Sequence, residues 1–137
     1  MFKIISIVVS ICACLSLMAL QDKDSGYELK QQSKNSVYQG TLACDAEMTT
    51  GSFQNCQLKL SKDDIALKNI EIFISGGMPA HQHGLPTTPK IVWSKEKQVY
   101  LIKGLKFSMP GDWVLNFKIN AAEVDDKDEI SMAVNVK

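Results

Sequence analysis

Histidine occurs only twice in this 137-residue chain, and the two stand two residues apart, at His81 and His83. They lie in the segment GGMPAHQHGLPTTP, from Gly76 to Pro89, which also holds Met78, three of the four prolines and three of the eight glycines. Each proline fixes its own φ and restricts its predecessor, so the segment is a stiff loop. In extended backbone, residues i and i+2 point to the same side, so both imidazoles can face one transition-metal ion. Met78 adds a thioether nearby. A second Met-Pro pair, Met109-Pro110, echoes Met78-Pro79 and also sits at a strand end. Imidazole with thioether favours copper, Cu(I) above all, because soft sulfur prefers soft ions. Zinc more often recruits cysteine or carboxylate, and the segment has neither. The candidate metal ligands are therefore His81, His83, Met78 and Met109, on the expectation that the two Met-Pro corners meet at one rim. The same residues also fit a plainer role, with the histidines bonding to backbone to fix the turn and the methionines filling gaps at the end of a core.

Other chemistries find less support. A small hydrolase needs a hydroxyl or carboxylate poised beside the histidines, and only Thr87, Thr88 and Asp112 stand near in sequence. There is no phosphate-cradling glycine loop and no nucleophile elbow. The acidic run Asp125 to Glu129 lacks the spacing and glycine of an EF-hand loop and reads as a solvated turn. All fifteen basic residues are lysines, balanced by fifteen acidic ones. With no arginine and no lysine cluster, a nucleic-acid partner is not expected.

The elements that must position the loop begin after a leader. Met1 to Lys3 is short and positive, Ile4 to Leu20 is apolar, and the chain then turns polar at Gln21. This is the layout of a secretory signal peptide, read as residues 1–19, with Ala19 as the small residue at the cleavage site. Alternatively, Ile11-Cys12-Ala13-Cys14 resembles a lipobox, with a lipoprotein leader ending before Cys14. A membrane is engaged only through such a leader or lipid. Residues 20–34 are polar and read as a tether, and residues 35–137 as one domain. Cys44 and Cys56 remain in an exported domain and are expected to pair, closing a loop that contributes roughly 3 kcal/mol.

Within the domain, alternating apolar residues mark strands. They run over Ser36–Cys44, Phe53–Leu60, Ile70–Ser75, Ile91–Trp93, Val99–Ile102, Trp113–Ile119 and Ile130–Lys137. The first two form an expected hairpin carrying both cysteines. Gly76-Gly77 is read as the end of the third, and Asp63 to Leu67 as one helical turn. About seven short strands with polar turns predict an all-β, antiparallel β-sandwich, with a small barrel as the alternative.

The order GGMPAHQHGLPTTP, a short strand, and then YLIKGLKFSMPGDW (Tyr100 to Trp113) resembles the YtkA-like, FixH-related group of exported bacterial domains. The resemblance covers Ile70 to Ile119. It rests on Met78, Pro79, His81, His83, Gly84, Leu85, Pro86, Thr87 and Pro89, then on Gly104, Met109, Pro110, Gly111 and Trp113. It implies an immunoglobulin-like sandwich in the periplasm or cell envelope, without catalytic activity. It also implies an association with copper handling or with an envelope redox or metal-handling protein as partner. Two functions follow as expectations: a copper carrier or accessory factor using the His/Met loop, or a metal-free module docking through the rigid HGLPTTP turn.

Overall fold

The computed structural model describes residues 26–121 and 127–137. The leader, with Cys14 and its cleavage site, lies outside these residues. Among the described residues, ten strands form two antiparallel sheets. The first holds β1 (Tyr27–Gln32), β2 (Gln39–Cys44), β3 (Cys56–Lys62), β8 (Val99–Lys103) and β7 (Lys90–Ser94) in that order, with β4 (Ile65–Ala66) beside β3. The second holds β10 (Lys127–Val136), β9 (Gly111–Asn120), β5 (Glu71–Met78) and β6 (His83–Gly84). In immunoglobulin terms, β2-β3-β8-β7 take the A-B-E-D places and β10-β9-β5-β6 the G-F-C-C′ places. The expected immunoglobulin-like sandwich is therefore the fold. The seven strands read from the sequence are β2, β3, β5, β7, β8, β9 and β10; the count rises to ten because β1, β4 and β6 join them.

Alternation builds the core. Trp113, Leu115, Phe117 and Ile119 of β9 and Ile130, Met132, Val134 and Val136 of β10 are all buried, and face Leu42, Leu58, Tyr100 and Ile102 of the other sheet. Each such side chain adds about 1.5–3 kcal/mol of burial. β9 and β10 are in register along their whole length, from Lys127 opposite Asn120 to Val136 opposite Gly111.

Several local expectations are corrected. Tyr27–Gln32, placed in the tether, is an edge strand paired with β2. Only Tyr27 and Leu29 pack on the core, so its sequence looks like a polar arm. Asp63 and Asp64 form no helical turn. Both have positive φ, 49° and 62°, as the two-residue loop of a tight hairpin requires, and Lys62 pairs with Ile65 across it. Gly76-Gly77 does not end β5, which runs on to Met78. A Cβ at Gly76 would lie 2.9 Å from Leu115 Cδ2 and 3.1 Å from Leu85 Cδ1, so glycine lets the neighbours close over the strand. Asp128 and Glu129 belong to β10 rather than to a turn, and Asp128 is buried, accepting the backbone N–H groups of Asn35 and Glu129.

Cys44 and Cys56 are bonded, S–S 2.04 Å, and face each other directly across the β2–β3 pair. The disulfide thus crosses the hairpin within one sheet. In antibody domains the bond joins the two sheets instead, and the buried tryptophan stands on strand C; here Trp113 stands on the F-type strand β9.

Candidate functional site

The loop from Gly76 to Pro89 closes one end of the sandwich and is pinned at four places. Met78 and His83 are register partners across β5 and β6. The Leu85 N–H donates to the Gly76 carbonyl at 3.2 Å. The Thr87 hydroxyl donates to the Gly104 carbonyl at 2.7 Å, where the chain leaves β8. Pro89 is buried just before β7 begins. Between Met78 and β6, Pro79–His81 forms a single 3-10 turn, with Gln82 in the left-handed region (φ 53°, ψ 34°) reversing the chain.

β9 enters beside this loop because β5 and β9 are neighbours, Gly77 standing opposite Val114. The residues just before β9 therefore reach the histidines. His83 Nε2 lies 3.1 Å from Met109 Sδ. The His83 ring stands edge-on to Trp113, centroids 5.5 Å apart. Trp113 is fully buried, packs against Phe107 at 5.2 Å, and donates its indole N–H to the Met109 carbonyl at 3.1 Å. Met109 is thus fixed by backbone and side chain alike. The Nε2–Sδ pair has two protonation patterns. With the proton on Nε2, the imidazole donates a hydrogen bond to sulfur. With the proton on Nδ1, which points toward the Gly84 carbonyl at 3.5 Å, two lone-pair donors converge on one place.

The His81 ring is exposed and 6.0 Å from that of His83, the planes tilted by 36°. Met78 is different from the other three. It is buried and turned inward, and its Cε fills the space above Gly111 so closely that a Cβ there would lie 2.5 Å away. Gly111 also has a φ of 125°, a conformation that side chains oppose. The structure therefore gathers His81, His83 and Met109 at the rim and places Met78 as packing beneath them. Among the described residues, no three His, Cys, Asp or Glu side chains gather as a metal cluster. Trp113, which the sequence marks only through the MPGDW run four residues after Met109, is the further residue that shapes the site. Two surface hollows of about 490 and 740 Å³ lie at the opposite end, around Phe73 and Asn120 and around Leu67 and Ile70, and contain neither histidine nor methionine.

A family model described as YtkA-like matches residues 32–118. The chain belongs to the YtkA-like family. The match reaches from the last residue of β1 into β9, so the YtkA-like region includes Cys44, Cys56 and the whole rim, well beyond the Ile70 to Ile119 resemblance readable by eye. The YtkA-like family is not a known enzyme family. Neither a curated protein nor a solved structure matches the chain. Family membership and the disulfide both point to an exported protein. Among the described residues no helix is long and apolar enough to cross a membrane.

Proposed function

We propose that this chain is a non-catalytic protein of the cell envelope that binds a copper ion, Cu(I) in preference, and delivers it to or accepts it from an envelope redox or metal-handling protein. One observation carries the reading. An imidazole nitrogen and a thioether sulfur from residues 26 positions apart approach to 3.1 Å at a rim. With bonds of about 2.0 Å to nitrogen and about 2.3 Å to sulfur, such a pair subtends roughly a right angle at a shared ion, and a small outward shift gives a tetrahedral angle. The spacing of the His81 and His83 rings allows an ion to lie between them. An ion stands about 3.1 Å from the centroid of each coordinating ring, and the two centroids are 6.0 Å apart. Nitrogen and thioether donors without carboxylate favour Cu(I) over zinc or calcium. The disulfide supports an oxidising compartment, where a periplasmic or envelope carrier works.

The test is a titration of the metal-free protein with Cu(I) and Cu(II) against a competing chelator, beside a His83→Ala/Met109→Ala variant. Tight one-to-one Cu(I) binding lost in the variant is the expected result. Weak binding, equal in both proteins, would sink the copper reading. It would favour the second function, a metal-free docking module. That reading draws on the Leu85–Gly76 and Thr87–Gly104 bonds, which hold the HGLPTTP turn without any ion.

A further inference from the structure

We infer that the two histidines divide the task at this site: His83 is the fixed ligand that retains the ion, and His81 is the exchanging ligand through which the ion enters and leaves. The inference rests on the copper reading above and adds how cargo passes to a partner.

The asymmetry is structural. His83 is held by its β6 pairing with Met78, by the 3.1 Å approach of Met109 Sδ and by the edge of Trp113. Of these partners Met78 and Trp113 are buried residues of β5 and β9, and Met109 is half-buried just before β9, so the exposed His83 ring is anchored on one side. His81 has no such support. It is the exposed last residue of a three-residue turn. Among the described residues its side chain makes no hydrogen bond, and its one ring contact is with His83. The turn that carries it is closed by one long bond, the Gln82 N–H to the Pro79 carbonyl at 3.4 Å.

Both rings are exposed; a side chain without contacts changes rotamer in picoseconds to nanoseconds, whereas the His83 ring must first give up its contacts with Met109 Sδ and Trp113. Cu(I) has a filled d shell and tolerates low coordination. When His81 swings off, the ion stays on His83 Nε2 and Met109 Sδ with a position open to solvent. An incoming soft donor takes that position. The copper–His81 nitrogen bond breaks and a copper–acceptor bond forms, each ligand supplying its own lone pair. The ion remains Cu(I) and no electron is transferred. The acceptor is therefore a protein offering thioether, thiolate or imidazole donors on an accessible surface.

The experiment loads the whole exported protein with Cu(I) and follows transfer to bicinchoninate by stopped flow, for the native chain, His81→Ala and His83→Ala, with circular dichroism confirming that each is folded. Loss of an outer-shell partner alone costs about 10–100-fold in affinity. His83→Ala is accordingly expected to lose about a hundredfold or more, and His81→Ala about tenfold or less. Native transfer saturates with chelator concentration, because His81 must leave first. His81→Ala transfers faster, and its rate stays linear. Equal affinity losses in the two variants, or a His81→Ala rate that saturates like the native one, overturn the division of roles while leaving copper binding intact. Absence of Cu(I) binding by the native protein overturns the copper reading and this inference with it.

Discussion

The indole N–H of Trp113 donates to the backbone carbonyl of Met109 at 3.1 Å, tying the largest side chain of the core to the residue that meets His83. Core and rim are therefore one mechanical unit. Trp113→Phe keeps most of the apolar volume but leaves the Met109 carbonyl without its donor, which costs about 1–3 kcal/mol. The expected outcome is a lower urea midpoint together with weaker Cu(I) retention. Unchanged stability would show that the carbonyl finds another partner.

Gly111→Ala is expected to destabilise by about 1–3 kcal/mol, since it forces a side chain into positive φ and against Met78 Cε. The second cause is separable. In a Met78→Ala background the clash disappears, so a double-mutant cycle should show coupling of roughly 0.5 kcal/mol or more. Strict additivity would mean that backbone strain alone sets the cost.

Met78→Ala by itself tests whether that thioether is packing or ligand. Removal of a buried methionine costs about 2–5 kcal/mol, and the inward orientation of Met78 predicts a stability loss with Cu(I) affinity changed much less than in Met109→Ala. Denaturation curves and chelator competition on the same samples decide it. The opposite ranking would return Met78 to the ligand set.

Replacing both Cys44 and Cys56 by alanine should lower stability by roughly 3 kcal/mol, the loop-closure contribution of the bond. The bond lies in the β2–β3 pair, in the sheet that does not carry His83, so metal affinity of the folded variant should not move. A loss of affinity without a loss of stability would contradict this placement.

Tyr100 gives the fold an alkaline limit. Burial raises its phenol above the ordinary value of 10, opposed by the hydrogen bond from the Ile70 N–H, while its own O–H donates to the Leu67 carbonyl. The group is neutral in both states below pH 10, and its contribution to stability is then complete. Above pH 10 the unfolded chain ionises first, so stability falls until the folded phenol also ionises. Tyr100→Phe should flatten this limb of a stability–pH profile. It also leaves the Ile70 N–H and Leu67 carbonyl unpaired, lowering stability by about 1–3 kcal/mol at neutral pH.

The seven main strands could be read from the chain because half-buried strands alternate visibly, as Trp113 to Ile119 and Ile130 to Val136 do. β1 could not, since an edge strand with one packed flank carries the residues YELKQQ, which read equally as a polar arm. The sequence stops β5 three residues early, at Ser75 rather than Met78, because glycine usually ends a strand, while here it admits Leu85 and Leu115. The pair of Met-Pro corners pointed to Met109 correctly as a neighbour of His83. The sequence names both Met78 and Met109 as candidate thioethers, and which of them the core buries is not visible in it. That burial follows from the β5–β9 pairing and from Gly111, long-range facts with no local signature.

The row Tyr27, Cys44, Cys56 and Ile102 runs across one sheet at the same end as the His83 rim, and β10 finishes there too, with Val136 beside Gly111. Chain thus enters and leaves the sandwich at a single pole. The Lys137 backbone is tied to the Met48–Thr50 segment, its N–H donating to the Met48 carbonyl and its carbonyl accepting from the Thr50 N–H. A lipid or leader holding the N-terminal side would turn that pole toward the bilayer and send the Asp63-Asp64 and Lys95–Gln98 hairpin tips outward.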